Sequence, residues 1–256
     1  MQSGTSSSCR PGGQVVLAGL ALRVISLDRT PKRLEWFRTI NGVLPASLLH
    51  AVDGTAVDRA DLERRGIIEH GIPFTDGAIG CMLSHLMLWE LAENTNQTIV
   101  VFEDDALIHS RFTAHAETML AGLPRDWHIC LFGYNFDAYL LFDMLPGVSP
   151  CLAAFDQEAV RRSLSTFRMA EINPVPYRLI RAFGTISYAI SPAGAKVMRK
   201  LCLPIPNRPV AFHDRTLANN GIDITMNGVY QQVNAFVSFP PLVVTANEHG
   251  ISTVQT

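Results

Sequence analysis

Three consecutive carboxylates, Glu103, Asp104 and Asp105, follow directly on the apolar run Ile99-Val100-Val101-Phe102. Ile, Val and Phe suit a strand covered on both faces. Three adjacent acids are not buried unpaired, so they mark the place where that strand ends. Acids at the carboxyl end of a strand in an α/β sheet lie where such sheets bind ligands. Glu103 and Asp105 alternate along the chain and could offer oxygen to a hard divalent ion that also holds a diphosphate. The competing reading is a solvated acidic turn after a core strand. Two further groups carry chemistry. Ser84 and His85 are the polar atoms in the middle of an apolar helical pattern, where a lone histidine is either a catalyst or a satisfied structural residue. Asp53 precedes Gly54, as a ribose or base contact or as a plain turn residue.

The elements that must position these groups alternate. Residues 22–27 read as a first strand, and Thr30 with Pro31 opens a helix carrying Leu34, Phe37 and Ile40. Residues 50–54 read as a short strand ended by an Asp-Gly turn, and 56–74 as a charged, irregular excursion. Thr75 to Glu93 is the best helix, with Ile79, Met82, Leu83, Leu86 and Trp89 on its apolar face. Gly77, Gly80, Cys81 and Ser84 fall together on a smooth side. Two helical glycines cost about 1 kcal/mol each against alanine, so something should approach that side closely. Residues 112–123 read as a helix, 128–133 as a buried strand, and 184–190 as a strand running into a helix opened by Ser191-Pro192. Between them, 134–182 loses the pattern. Four prolines and five arginines mark it as a long insertion, and such loops are usually functional. Asp214 falls on a short helix expected over 209–220, and a last strand lies near 229–239. The alternation predicts an α/β sheet of mostly parallel strands flanked by helices.

Composition bounds the answer. A chain of 256 residues, 48% hydrophobic and 17% charged, suits a single globular domain, here over 21–256 after a disordered leader at 1–20. A formal charge of −2 exerts no pull toward nucleic acid. Five scattered cysteines without a CxxC pair argue against a disulfide framework and a zinc site. No apolar run is long enough to span a membrane. The expectation is a cytoplasmic protein, with peripheral contact at the inner membrane face left open.

Taken together the residues resemble glycosyltransferase family 25, which includes bacterial lipooligosaccharide galactosyltransferases and collagen hydroxylysine galactosyltransferases. The matching pieces are Val24-Ile25-Ser26-Leu27 with Arg29 and Arg33, Ala51 to Gly54, Ile79-Gly80-Cys81, Leu83-Ser84-His85 with Trp89, and Val101 to Asp105. Gly184-Thr185, Tyr188 to Ser191 with Ala195, Asp214 and Pro240 to Val243 complete them. Ala78 departs from the glutamate that the family often carries, and 134–182 matches nothing. The resemblance implies a GT-A type fold holding a UDP-sugar, with Mn²⁺ or Mg²⁺ on Glu103 and Asp105. It implies donor contacts at Ser26, Leu27, Arg29, Asp53, Ser84 and Asp104. Asp214 would be the base and His85 a second catalytic candidate, in an inverting transfer of galactose to a glycan or glycolipid acceptor such as lipopolysaccharide, facing 134–182. A metal-assisted phosphohydrolase and a non-catalytic binding relative are the competing functions; the first lacks a second cluster of His and Asp for a two-metal site.

Overall fold

The computed structural model describes residues 20–212 and 215–247, Arg215 by its backbone alone. The expected leader apart from Leu20, the base candidate Asp214 and the tail from 248 lie outside the described residues.

The chain opens with β1 (Leu20–Ser26), α1 (Pro31–Asn41) and β2 (Ser47–His50). Pro31 takes the first helical position, while Thr30 makes no side-chain cap bond. The excursion at 56–74 is less irregular than expected. It holds α2 (Arg59–Arg64), opened by Asp58, whose carboxylate accepts from the Ala60 and Asp61 amides. Next comes α3 (Asp76–Thr95), capped by Thr75 and ended by Asn96 at φ 51°, a left-handed residue that asparagine tolerates. It leads into β3 (Thr98–Glu103), followed by β4 (Ala106–Ile108), α4 (Phe112–Gly122) and β5 (Ile129–Gly133).

The patternless stretch is structured. It contains β6 (Leu140–Leu145), β7 (Ser149–Ala153), α5 (Gln157–Arg162), α6 (Leu164–Met169) and β8 (Val175–Arg181). After it come β9 (Ser187–Ile190) and α7 (Pro192–Cys202), capped by Ser191 as expected. The helix expected over 209–220 is instead an antiparallel pair, β10 (Val210–Phe212) and β11 (Arg215–Leu217). The chain closes with α8 (Ile222–Asn227), β12 (Ala235–Phe239) and β13 (Val243–Thr245), which pairs with β4.

Nine strands form one sheet in the order β2-β1-β3-β9-β5-β12-β8-β6-β7. The expectation of mostly parallel strands is corrected. Only β1–β2, β1–β3 and β5–β12 pair in parallel among the described residues. The β3–β9, β5–β9, β8–β12, β6–β8 and β6–β7 ladders are antiparallel. Two of these ladders arise because β9 runs against β3 and β5 and fills the slot between them; the other three belong to the strands of the insertion, β6, β7 and β8.

Both faces of the central strands are covered, which is why they read as continuous apolar runs. Ile99 and Val101 point into one core with Trp89 and Met82 of α3 and Met198 of α7. Val100 and Phe102 point into the other, with Phe37 of α1 and Phe112 and Met119 of α4.

Candidate active site

The parallel register of β1 with β3 sets Ile25 beside Glu103, and that of β1 with β2 sets Ser26 beside His50. Three carboxyl ends therefore finish at one edge. Because β9 runs the other way, its leading residues Gly184 and Thr185 arrive there too, and the Glu103 amide bonds to the Ile186 carbonyl. A cavity of about 520 Å³ opens at this edge, within the range of ligand sites. Ser26, Arg33, Thr185, Asp223 and the three acids line it.

The acids are not equivalent. Asp104 is buried, and both its oxygens are used. Oδ2 accepts from Ser26 Oγ at 2.7 Å, and Oδ1 accepts from Arg33 Nε at 2.7 Å and faces Nη2 at 2.6 Å. Asp104 thus ties β3 to β1 and to α1. Arg33 Nη2 also lies 3.3 Å from Asp105 Oδ2. Burial alone would weaken the guanidinium charge, but Asp104 and Asp105 raise the Arg33 pKa above its ordinary value.

Asp105 is the strained member. Its Oδ1 is buried without a hydrogen-bond partner. Burial and then the Glu103 charge push its carboxyl up to about 7, against the pull of Arg33. Glu103 goes the other way: burial would raise it, yet His85, Thr185 and Arg33 together hold it below the ordinary carboxylate range. Its Oε1 accepts from Thr185 Oγ1 at 2.5 Å and lies 3.5 Å from His85 Nε2. The two ends of one acidic run thus differ in proton affinity because burial is outweighed by His85, Thr185 and Arg33 at Glu103, whereas burial and the Glu103 charge outweigh Arg33 at Asp105.

His85 is fully buried behind Glu103. Tyr188 Oη lies 2.9 Å from both His85 Nδ1 and Trp89 Nε1. The indole N–H can only donate, so the phenol oxygen accepts it, and the phenol and Nδ1 share one proton between them. Nε2 faces Glu103 at 3.5 Å. His85 is thus placed to orient Glu103. Cys81, His85 and Glu103 also offer ligand atoms within 4.8 Å of one another. Burial and the nearby acids Glu103, Asp223 and Asp105 push the Cys81 thiol up, however, so a metal there would have to displace the thiol proton.

The remaining sequence candidates fall into two groups. Leu27 and Arg29 line the cavity, and Arg29 pairs with Asp53 at 3.0 Å on the exposed rim. Asp53 itself caps a short turn, accepting from the Thr55 amide and hydroxyl, and its pKa is lowered chiefly by these bonds. Ser84 is buried and committed to backbone: it accepts from the Val52 amide at 2.9 Å and donates to the Gly80 carbonyl at 2.7 Å. The smooth side of α3 is thereby explained. The chain at Val52–Gly54 crosses it so closely that a Cβ on Gly80 would sit 2.3 Å from the Val52 carbonyl oxygen.

Sequence reasoning gave Arg33 and Thr185 no role beyond their matching motifs, and missed Asp223 altogether. Asp223 stands in the first turn of α8 and accepts from the Gly184 amide at 3.0 Å through Oδ2. Burial outweighs that bond and raises its pKa above the ordinary carboxylate value. Only its place as the one carboxylate of the short segment 221–230 could have flagged it.

Fold and site together define an α/β protein with an acid-lined cleft at joined strand ends. The chain belongs to a family described as glycosyltransferase family 25 (LPS biosynthesis protein), whose model matches residues 21–213. It is 26% identical to lipooligosaccharide biosynthesis protein lex-1 of Haemophilus influenzae over 167 residues, 64% of this chain and 49% of that protein. It is 28% identical to procollagen galactosyltransferase 1 of Danio rerio over 120 residues, 42% of this chain and 20% of that protein. It is also 28% identical to inactive glycosyltransferase 25 family member 3 of Homo sapiens over 146 residues, 49% of this chain and 24% of that protein. The matches thus cover half or less of the length of each of these relatives. No helix among the described residues is long and apolar enough to cross a membrane.

Proposed function

We propose that the chain is a metal-dependent glycosyltransferase of GT-A type. It would move a hexose, galactose by likeness to its named relatives, from a UDP-sugar to a cell-surface glycan or glycolipid of the lipooligosaccharide kind. A cytoplasmic site, at or near the membrane where such acceptors are assembled, goes with that reading. The observation that carries it is the crowding of acids at the strand ends: Asp105 Oδ1 is buried without a hydrogen-bond partner beside Glu103, and the guanidinium near Asp105, that of Arg33, is shared with Asp104. Oxygen donors gathered in this way suit Mn²⁺ or Mg²⁺.

Glu103 and Asp105 would hold the ion, which would offset the charge gathering on the departing diphosphate. The other residues act on geometry and on protons. Asp104, Ser26 and Arg33 lock the ends of β1 and β3 together. Tyr188 and His85 fix Glu103 from behind. In an inverting transfer a carboxylate takes the proton of the acceptor hydroxyl as its oxygen bonds to the anomeric carbon and the nucleotide leaves. Asp214 is one candidate for that base, and Asp223, facing the cavity with a raised pKa, is the other.

The test is a donor screen with Mn²⁺ in which slow hydrolysis of each nucleotide sugar is followed with and without EDTA, then repeated with Asp214→Asn and Asp223→Asn on the donor that turns over. Loss of that hydrolysis with unchanged UDP binding identifies the base, which acts on water when no acceptor is present. A second reading, a non-catalytic sugar-binding relative, has the inactive human relative in its favour. Metal-dependent UDP binding with no turnover of any nucleotide sugar would establish it instead.

A further inference from the structure

A second cavity, of about 350 Å³, adjoins the first. Three separate segments pass from one to the other. Asn135 lines the first and Asp137 and Tyr139 the second; Gly184 lines the first and Phe183 the second; Asn220 and Ile224 line both. Asp223, a lining residue of the first cavity only, therefore stands at the junction. The second cavity is walled by rings. Phe183 and Phe212 meet at 4.9 Å between centroids, and Tyr139 lies nearly parallel to Phe212, with 18° between planes. Phe212 is buried, whereas Tyr139 keeps 39% of its surface exposed. Asp137 and Asn220 are polar residues among those that line it.

We infer that this cavity is a saccharide subsite, taking the sugar ring that receives the transferred hexose. A pyranose presents a flat C–H face and an edge of hydroxyls. Aromatic walls suit the face, and a carboxylate and an amide suit the edge. A hydrocarbon tail would need the walls alone. The position agrees with the chemistry, because an acceptor hydroxyl must meet the anomeric carbon where donor and acceptor spaces join, beside a group able to take its proton. The inference rests on the proposed transferase reading, which supplies the donor in the first cavity.

The experiment uses the full chain and two probes. Binding of UDP with Mn²⁺, measured by calorimetry, reports the first cavity. Saturation-transfer NMR with methyl β-D-galactopyranoside, methyl β-D-glucopyranoside and octyl β-D-glucopyranoside reports the second. At least one methyl glycoside should receive saturation on its ring protons and keep it when UDP is present. Tyr139→Ala should weaken that binding roughly tenfold, the scale of one lost ring contact. Tyr139→Phe should retain it, and UDP affinity should be unchanged in both variants. The inference is overturned if no methyl glycoside is saturated, if UDP displaces it, if Tyr139→Ala binds it like the parent, or if saturation reaches only the octyl chain. Failure of UDP to bind, with glycoside binding intact, would remove the transferase reading and leave the saccharide subsite standing.

Discussion

The strand ends of β1, β3 and β9 and the β6–β7 edge of the nine-stranded sheet are built on opposite terms. At the strand ends, polar side chains are buried against partners: Ser26 and Arg33 on Asp104, Thr185 on Glu103, Tyr188 on His85. At the β6–β7 edge, apolar side chains are left in water. Val148 at the hairpin tip is 80% exposed, and Met144, Leu145 and Leu152 are exposed around it. Burying a polar group is costly unless its partner is in place, so the strand ends hold their atoms to fixed positions. An exposed hairpin carries no such constraint. Position-critical chemistry therefore belongs at the strand ends.

The largest effect should come from removing an acid there. Asp105→Ala, and nearly as much Glu103→Ala, should lower transfer by on the order of a hundredfold or more, as loss of charge stabilisation implies. Circular dichroism should be unchanged, because Asp105 is a net cost to the fold at neutral pH. Near-parental turnover by Asp105→Ala would erase the functional distinction between the strand ends and the β6–β7 edge.

Next in size is a steric prediction. Gly80→Leu should destabilise the protein by at least roughly 1 to 3 kcal/mol, because the atom that a side chain would meet is the Val52 carbonyl, which cannot swing away as a side chain would. A thermal melt equal to the parent's would mean that the Val52–Gly54 crossing is loose.

Protonation sharpens the contrast further. Asp105 in the folded chain titrates near 7, raised by burial and by Glu103, with Asp104 also opposing its charge and Arg33 favouring it. An unfolded aspartate titrates near about 4. A raised folded pKa gives stability that is complete below the unfolded value and lost as pH rises through the folded one. Metal-free protein should therefore lose this contribution between about pH 4 and 7, and Asp105→Asn should abolish that part of the slope. Proton and metal compete for the same oxygen, so Mn²⁺ affinity should fall about tenfold per unit below pH 7 and level off above it. An Mn²⁺ affinity flat from pH 5 to 8 would remove Asp105 from the metal site.

How much of this was legible follows the same division. Ile99 to Asp105 announced a buried strand and its end, because hydrophobicity and charge change there within one residue. The α7 cap at Ser191 was readable for its local chemistry, and the α3 cap was readable to within Thr75 or Asp76, of which the structure uses Thr75. The close approach at Gly80 was readable too, because glycine in a helix is costly. Strand direction was not, since an apolar run looks the same either way, and β9 slipped unannounced between β3 and β5. Nor were β6, β7 and β8 visible. Their exposed positions mix apolar and polar residues, so alternation is blurred, and Pro150 and Pro176 read as breakers although both lie within these outer strands. Asp223 was hidden because its partner Gly184 is remote in sequence.

The smallest effects should lie within the insertion itself, and they separate its two parts. Helix α5 reaches back to the cavity: Gln157 Nε2 donates to the Thr245 and Ala246 carbonyls, and Arg161 donates to the Ala246 carbonyl at 2.7 Å and the Asn247 carbonyl at 2.6 Å. Thr245 and Asn247 line the cavity, so Arg161 clamps part of its wall. Arg161→Ala should weaken UDP binding several-fold, since each charge-assisted bond to a carbonyl is worth about 1.5 to 3 kcal/mol and only part of the freed wall's motion reaches the ligand. Val148→Ser, at the far tip, should leave melting within about 0.5 kcal/mol of the parent and binding unchanged, because it removes no contact that anything else depends on. Equal effects from the two substitutions would show that the hairpin tip is coupled to the cavity after all. The contrast would then run between the sheet and its loops instead of between the strand ends and the β6–β7 edge.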